Sequence, residues 1–130
     1  MTPNTIAKWH EIIQNQTVAK LDEILADDVV FHSPVVHTPQ EGKFITTLYL
    51  TAAAHVLGGD GFSYVREVYG ANDAVLEFET EIDGIHINGV DMIRWNDDEQ
   101  IIDFKVMLRP LKAVNKVHQM MGAMLNSMQK

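Results

Sequence analysis

The chain has 130 residues, 46% of them hydrophobic, and a formal net charge of −8. This size and composition suit a single globular domain over residues 1–130 with a true core, and the acidic balance disfavours nucleic acid and anionic membranes as partners. There is no cysteine, which excludes disulfides and thiolate metal sites and suits a reducing cytoplasm.

The opening stretch "MTPNTIAKWHEIIQ" lacks a basic start followed by an apolar core, so no signal peptide is expected. No apolar run approaches the ~20 residues of a membrane span. Residues from Pro3 to Gln16 read as a helix: Thr2 can cap, Pro3 suits the first turn, and Ile6, Trp9 and Ile13 fall on one face. A short second helix, Val18 to Ala26, presents Leu21, Ile24 and Leu25. "VVFHSP" then reads as a strand stopped by Pro34. After the polar loop "HTPQEG", the stretch from Lys43 to Leu57 reads as a mostly buried helix, apolar almost all round and ended by Gly58 and Gly59.

The period then changes to two. Four strands are expected near 61–69, 74–82, 85–96 and 101–109, separated by "GAND", "DG" and "NDDE", with "DG" a strong hairpin signal. Strands joined this tightly pair antiparallel. A helix with an apolar, Met-rich stripe closes the chain from Leu111 to Met128; it can cap a pocket, meet a partner chain or complete its own core. The fold class is α+β, with helices packed on the concave face of a strongly curved antiparallel sheet.

One residue breaks the pattern. Alternate positions from Ile85 are Ile85, Ile87, Gly89, Asp91, Ile93 and Trp95, which puts a carboxylate on the apolar face. Burial there disfavours the charged form, and a protonated Asp91 could donate to a carbonyl oxygen as negative charge develops on it. Alternatively, Asp91 pairs with a buried Arg, a Trp N–H or a water, or a bulge at Gly89 turns it outward. Ser33 shares the inner face of the first strand with Phe31, while His32 points away. Ser33 could hold a water or a ligand oxygen. His37, in the following loop, has an ordinary pKa suited to a base near neutrality. Trp9, Tyr49, Phe78 and Ile93 complete the expected pocket lining. Neither HExxH nor another metal-ligand spacing is present, so no metal or cofactor is expected.

The element order, with "LDEILADDVVFHSPV", the helix after Gly42, and "VDMIRWNDDEQI" followed by "KVMLRPL", resembles the nuclear-transport-factor-2-like superfamily, which includes SnoaL-like cyclases and ketosteroid isomerases. The resemblance implies a cone-shaped α+β barrel with a pocket open at one end, and a homodimer through the outer sheet face. Aligned by these motifs, Asp91 matches the acid that ketosteroid isomerases place in their oxyanion hole. Ser33 stands where their general-base Asp would be, and Trp9 where their pocket Tyr would be. The expectation is a pocket for a small apolar ligand, with proton transfer next to a carbonyl as the candidate chemistry. The alternative is a non-catalytic ligand-binding or dimerisation module.

Overall fold

A computed structural model describes residues 1–128. Helix α1 (Asn4–Asn15) buries Ile6, Trp9 and Ile12 and stops where Gln16 turns left-handed. A single 3₁₀ turn (Val18–Lys20) leads into the one-turn α2 (Leu21–Ile24), and β1 (Leu25–His32) follows at once. The second helix is therefore shorter than expected: Leu25 and Ala26 are strand residues, both buried. Their apolar pair mimicked a helical face because β1 carries an irregularity between Leu25 and Val30 that breaks its alternation.

A two-residue strand β2 (Gln40–Glu41) pairs with β1, and α3 (Lys43–Leu57) follows, its ends as expected. Most of α3 is covered, but Phe44 is 84% exposed. The meander then runs β3 (Ser63–Tyr69), β4 (Asp73–Ile82), β5 (Ile85–Trp95) and β6 (Ile101–Arg109), and α4 (Leu111–Met128) ends the described chain. Positive φ at Asp83 and Gly84 makes the tight β4–β5 turn. At the β5–β6 turn, Asn96 Oδ1 accepts from the Asp98 and Gln100 amides.

The six strands form one sheet in the order β2-β1-β6-β5-β4-β3. All neighbours are antiparallel except β1 and β6. Registers stack the inner side chains in rows: Phe31 opposite Phe104, Phe104 opposite Ile93, Ile93 opposite Ala74. A second row runs Leu108, Gly89, Phe78 and Tyr64. Gly89 has a steric reason to lack a side chain: a Cβ there would lie 2.5 Å from Phe78 Cζ and 2.8 Å from the Met107 carbonyl, so the Phe78 ring occupies its place. The strands and helices α1, α3 and α4 enclose one continuous core. Helix α4 buries Ala113, Val117 and Met121 and packs on α3 and on the sheet, so it completes its own domain. Among the described residues no helix is long and apolar enough to cross a membrane.

Candidate functional site

Asp91 lies on β5 between Leu76 of β4 and Val106 of β6, and the alternation of β5 turns it inward, with 6% of its surface exposed. It lines a cavity of about 60 Å³ between sheet and helices. Aromatic rings dominate the walls: Trp9, Phe31, Phe62, Tyr64, Phe78 and Phe104. Ser33 and Pro34 border one side, and Val117 and Met121 of α4 form another wall. The cavity is well below the ~300–1,000 Å³ of drug-sized sites. It is also smaller than the ~150 Å³ cavity known to take a benzene.

Asp91 has no cationic partner among the described residues. Its Oδ2 accepts from the Tyr64 hydroxyl at 2.7 Å, and the Tyr64 oxygen accepts from Trp9 Nε1 at 2.8 Å. Burial pushes the Asp91 carboxyl up to about 7 from an ordinary 3.8, with the Tyr64 hydrogen bond pulling part of the way back. Burial also raises the Tyr64 phenol well above its usual value, and the neighbouring Asp91 adds to the rise. Near neutral pH, then, the Tyr64 phenol stays protonated while Asp91 populates both forms.

The chain of bonds has a direction. An indole N–H can only donate, so Trp9 occupies one lone pair of Tyr64 and the phenol proton goes to Asp91. With Oδ2 accepting that proton, the acid proton of neutral Asp91 belongs on Oδ1. No hydrogen bond to Oδ1 is found among the described residues.

The structure brings five of the residues expected at the site onto the cavity wall: Asp91, Ser33, Trp9, Phe31 and Phe78. Three others stand elsewhere. His37 lines a separate surface groove with His32 and Lys105, which meets the cavity at Ser33, Pro34 and Val106. Tyr49 stands behind Phe31, ring centroids 5.4 Å apart, and supports the wall without forming it. Ile93 shares the inward face of Asp91 but is sealed in the core beside Phe104 and Ala74. Trp9 reaches Asp91 through Tyr64 and not directly. Ser33 Oγ accepts from the Val35 amide at 3.2 Å, which leaves its hydroxyl proton free to point elsewhere.

Tyr64 is the member that strand alternation alone does not reveal. It sits on edge strand β3 just before a register shift between Tyr64 and Arg66, which disrupts the period. Its signal lies across the sheet: it stands opposite Phe78, whose inward face the sequence does show. Among the described residues no three His, Asp or Glu side chains are grouped to hold a metal ion.

No protein-family model and no curated protein sequence matches the chain. Solved structures do. A steroid Δ-isomerase from Pseudomonas aeruginosa is 34% identical, with a TM-score of 0.91 over 96% of this chain and 91% of that one. An uncharacterised protein with a cystatin-like fold from Silicibacter pomeroyi is 29% identical, with a TM-score of 0.85 over 92% of this chain and 84% of that one. A hypothetical protein with a ketosteroid-isomerase-like fold from Catenulispora acidiphila, in complex with trimethylamine, is 12% identical, with a TM-score of 0.65 over 88% of this chain and 91% of that one. The curved sheet, the helices that cover its concave face and the match over nearly the whole length of the isomerase lead to one conclusion: the chain belongs to the nuclear-transport-factor-2-like, ketosteroid-isomerase-like family.

Proposed function

We propose that this protein binds a small carbonyl compound in the aromatic cavity and catalyses proton transfer next to the carbonyl, with Asp91 as the acid. The observation that carries this reading is a buried carboxyl on a cavity wall, held by Tyr64 and poised near pH 7, with no cation to fix it as a carboxylate. Neutral Asp91 donates from Oδ1 to the carbonyl oxygen. The adjacent C–H bond breaks, its proton passes to a water held by Ser33, and the enol forms; a proton from solvent then adds to the carbon while the enol O–H returns its proton to Asp91, which restores the ketone and the acid. His37 faces the neighbouring groove and has no part in this step. The likeness to the Pseudomonas isomerase supports enol chemistry as the class. Ser33 supplies a hydroxyl where that chemistry ordinarily uses a stronger base, so a slow, water-assisted exchange suits the site better than rapid steroid isomerisation. The trimethylamine complex of the Catenulispora protein agrees with a small ligand.

The test is exchange of the α-hydrogens of pentan-2-one in D₂O, followed by proton NMR. The wild type is expected to accelerate exchange, with a rate that falls as pH rises through about 7, and Asp91→Asn to lose about 100-fold. Exchange at the buffer rate, or equal rates in both proteins, would overturn the reading. A second reading, a non-catalytic binding module, is favoured by one observation: among the described residues Asp91 is the sole carboxylate, imidazole or amine on the cavity wall. The same ketone binding without accelerated exchange would establish that reading instead.

The convex face supports a homodimer. Val68 (60% exposed), Val75 and Met92 (36% each) and Met107 (48%) form an apolar band across the strands. Charges of both signs accompany it: Arg66 bonds Glu77 at 3.1 Å, Lys105 stands opposite Met92 at the end of its row, and Arg94 stands on a neighbouring row. Such a patch is self-complementary about a two-fold axis. Sedimentation is expected to show a dimer for the wild type and a monomer for Met92→Glu; a monomeric wild type would end the proposal. A cysteine-free chain of this kind suits the reducing cytoplasm.

A further inference from the structure

A cavity of about 60 Å³ is a tight site for most metabolites, and what lies against it determines what can reach Asp91. On one side is an open, polar groove of about 710 Å³, lined by His10, Asn15, Gln16, Asp60, Ser63 and Glu67 among others. The groove and the cavity share Ile13, Gly58, Phe62 and Tyr64 as walls, so one threshold separates polar solvent space from the apolar interior. Gly58 stands at that threshold. A Cβ there would collide with the Ala54 carbonyl, which closes the end of α3. Tyr64 is itself part of the threshold, with one face toward the groove and its hydroxyl on Asp91. A group that crosses here arrives beside the acid.

We infer that this groove is a second subsite, which holds the polar end of an elongated ligand while only its small carbonyl head enters the cavity. The inference rests on the cavity being the ligand site proposed above. Size sets the division. The cavity is less than half the volume that takes a benzene, so the head is a group of a few heavy atoms, such as a terminal acetyl or aldehyde, and any ring or longer chain stays outside.

Charge sets the class of tail. Asp60 and Glu67 bring two carboxylates to the groove. The one imidazole on its wall, His10, lies against Glu67, with Nε2 2.9 Å from Oε1 but without the geometry of a hydrogen bond. Glu67 also accepts from the Tyr69 hydroxyl at 2.8 Å, which holds the carboxylate at the groove wall. With Gln14, Asn15, Gln16 and Ser63 supplying neutral donors and acceptors, the groove suits hydroxylated or cationic tails and opposes anionic ones. The second groove that meets the cavity has the opposite formal charge: Lys105 lines it with His37 and with His32, whose Nε2 is bonded to Asp103 Oδ1 at 2.9 Å, behind Ser33, Pro34 and Val106. Tail charge therefore distinguishes the two approaches.

Four methyl ketones with one head provide the test, with dissociation constants measured by NMR titration: pentan-2-one without a tail group, 5-hydroxypentan-2-one, 5-(trimethylammonio)pentan-2-one, and 4-oxopentanoate. The hydroxyl and ammonium tails are expected to tighten binding about fivefold over pentan-2-one, and 4-oxopentanoate to bind more weakly than either. The double variant Asp60→Asn, Glu67→Gln is expected to abolish the preference of cation over anion, and Ile13→Trp to narrow the threshold and erase the gain from a tail. Tailed and untailed ketones binding alike would overturn the subsite and leave the cavity reading standing. Tighter binding of 4-oxopentanoate would assign the approach to the opposite, basic groove and overturn the inference equally. If none of the four ketones binds, the cavity reading falls and the subsite falls with it.

Discussion

Asp91→Asn is expected to stabilise the protein by roughly 4 kcal/mol at pH 8 and by very little at pH 3.5. The sign follows from the direction of the shift. The folded protein holds the Asp91 proton up to about pH 7, whereas the unfolded chain releases it near 3.8. Below the lower value both states are protonated and the acid imposes no penalty. Between the two values the unfolded state has ionised and the folded state has not, so stability falls as pH rises, and it levels off above about 7. Asn mimics the neutral acid at every pH. Its carbonyl accepts from Tyr64 as Oδ2 does, and its amide takes the place of the protonated Oδ1 toward the cavity. Other carboxylates titrate alike in both proteins and cancel in the difference. Urea unfolding of both proteins from pH 3.5 to 8.5 measures this, and a gap that stays constant across the range would show that Asp91 is not held as described. The acid, on this account, is kept against the interest of stability, as expected of a group retained for binding or chemistry.

Phe104→Ala is expected to cost about 4 kcal/mol and to create a site for benzene. Phe104 is 1% exposed. Its ring meets Trp9 edge-on at 4.9 Å and lies 6.0 Å from Phe31, so its removal forfeits apolar burial and two aromatic contacts together. Because the ring is also a cavity wall, the space it vacates adds to a void already present, and the sum approaches the scale of ~150 Å³ that takes benzene. Thermal unfolding with and without saturating benzene is expected to show a rise in midpoint for the variant and none for the wild type. Equal responses would mean that the wild-type cavity is larger or more yielding than its walls indicate. A variant that is destabilised yet deaf to benzene would mean that the surroundings collapse into the gap.

Much of this was legible in the sequence because it is local. The meander follows from period-two alternation and turn chemistry, and the inward turn of Asp91 follows from the same count along β5. Helix α3 is legible to its ends on a different signal, an apolar stretch from Lys43 to Leu57 closed by Gly58 and Gly59. What escaped depends on contacts between distant segments. The parallel alignment of β1 with β6 joins residues such as His32 and Lys105, and nothing near either one announces it. Tyr64 escaped because the irregularity beside it upsets the alternation by which the other inner residues were found. The place of His37 in the adjoining groove has no period to announce it, since the path of residues 33–39 runs through Pro34 and Pro39 to the short pairing of Gln40 and Glu41 with β1. Secondary structure is written in neighbours, whereas the cavity is assembled from eight elements, α1, β1, α3, β3, β4, β5, β6 and α4.

The pairing of β1 with β6 also has a consequence for the order of assembly. Strands β3 to β6 join through short turns and can zip together as each leaves the ribosome. Strand β1, which supplies Phe31 and leads to Ser33, must wait until residues 101–105 have been made before its longest edge is satisfied. The cavity therefore closes only once Ile101 and its neighbours have been made, and a nascent chain that stalls before Ile101 would carry β3 to β5 with the aromatic floor still open to water.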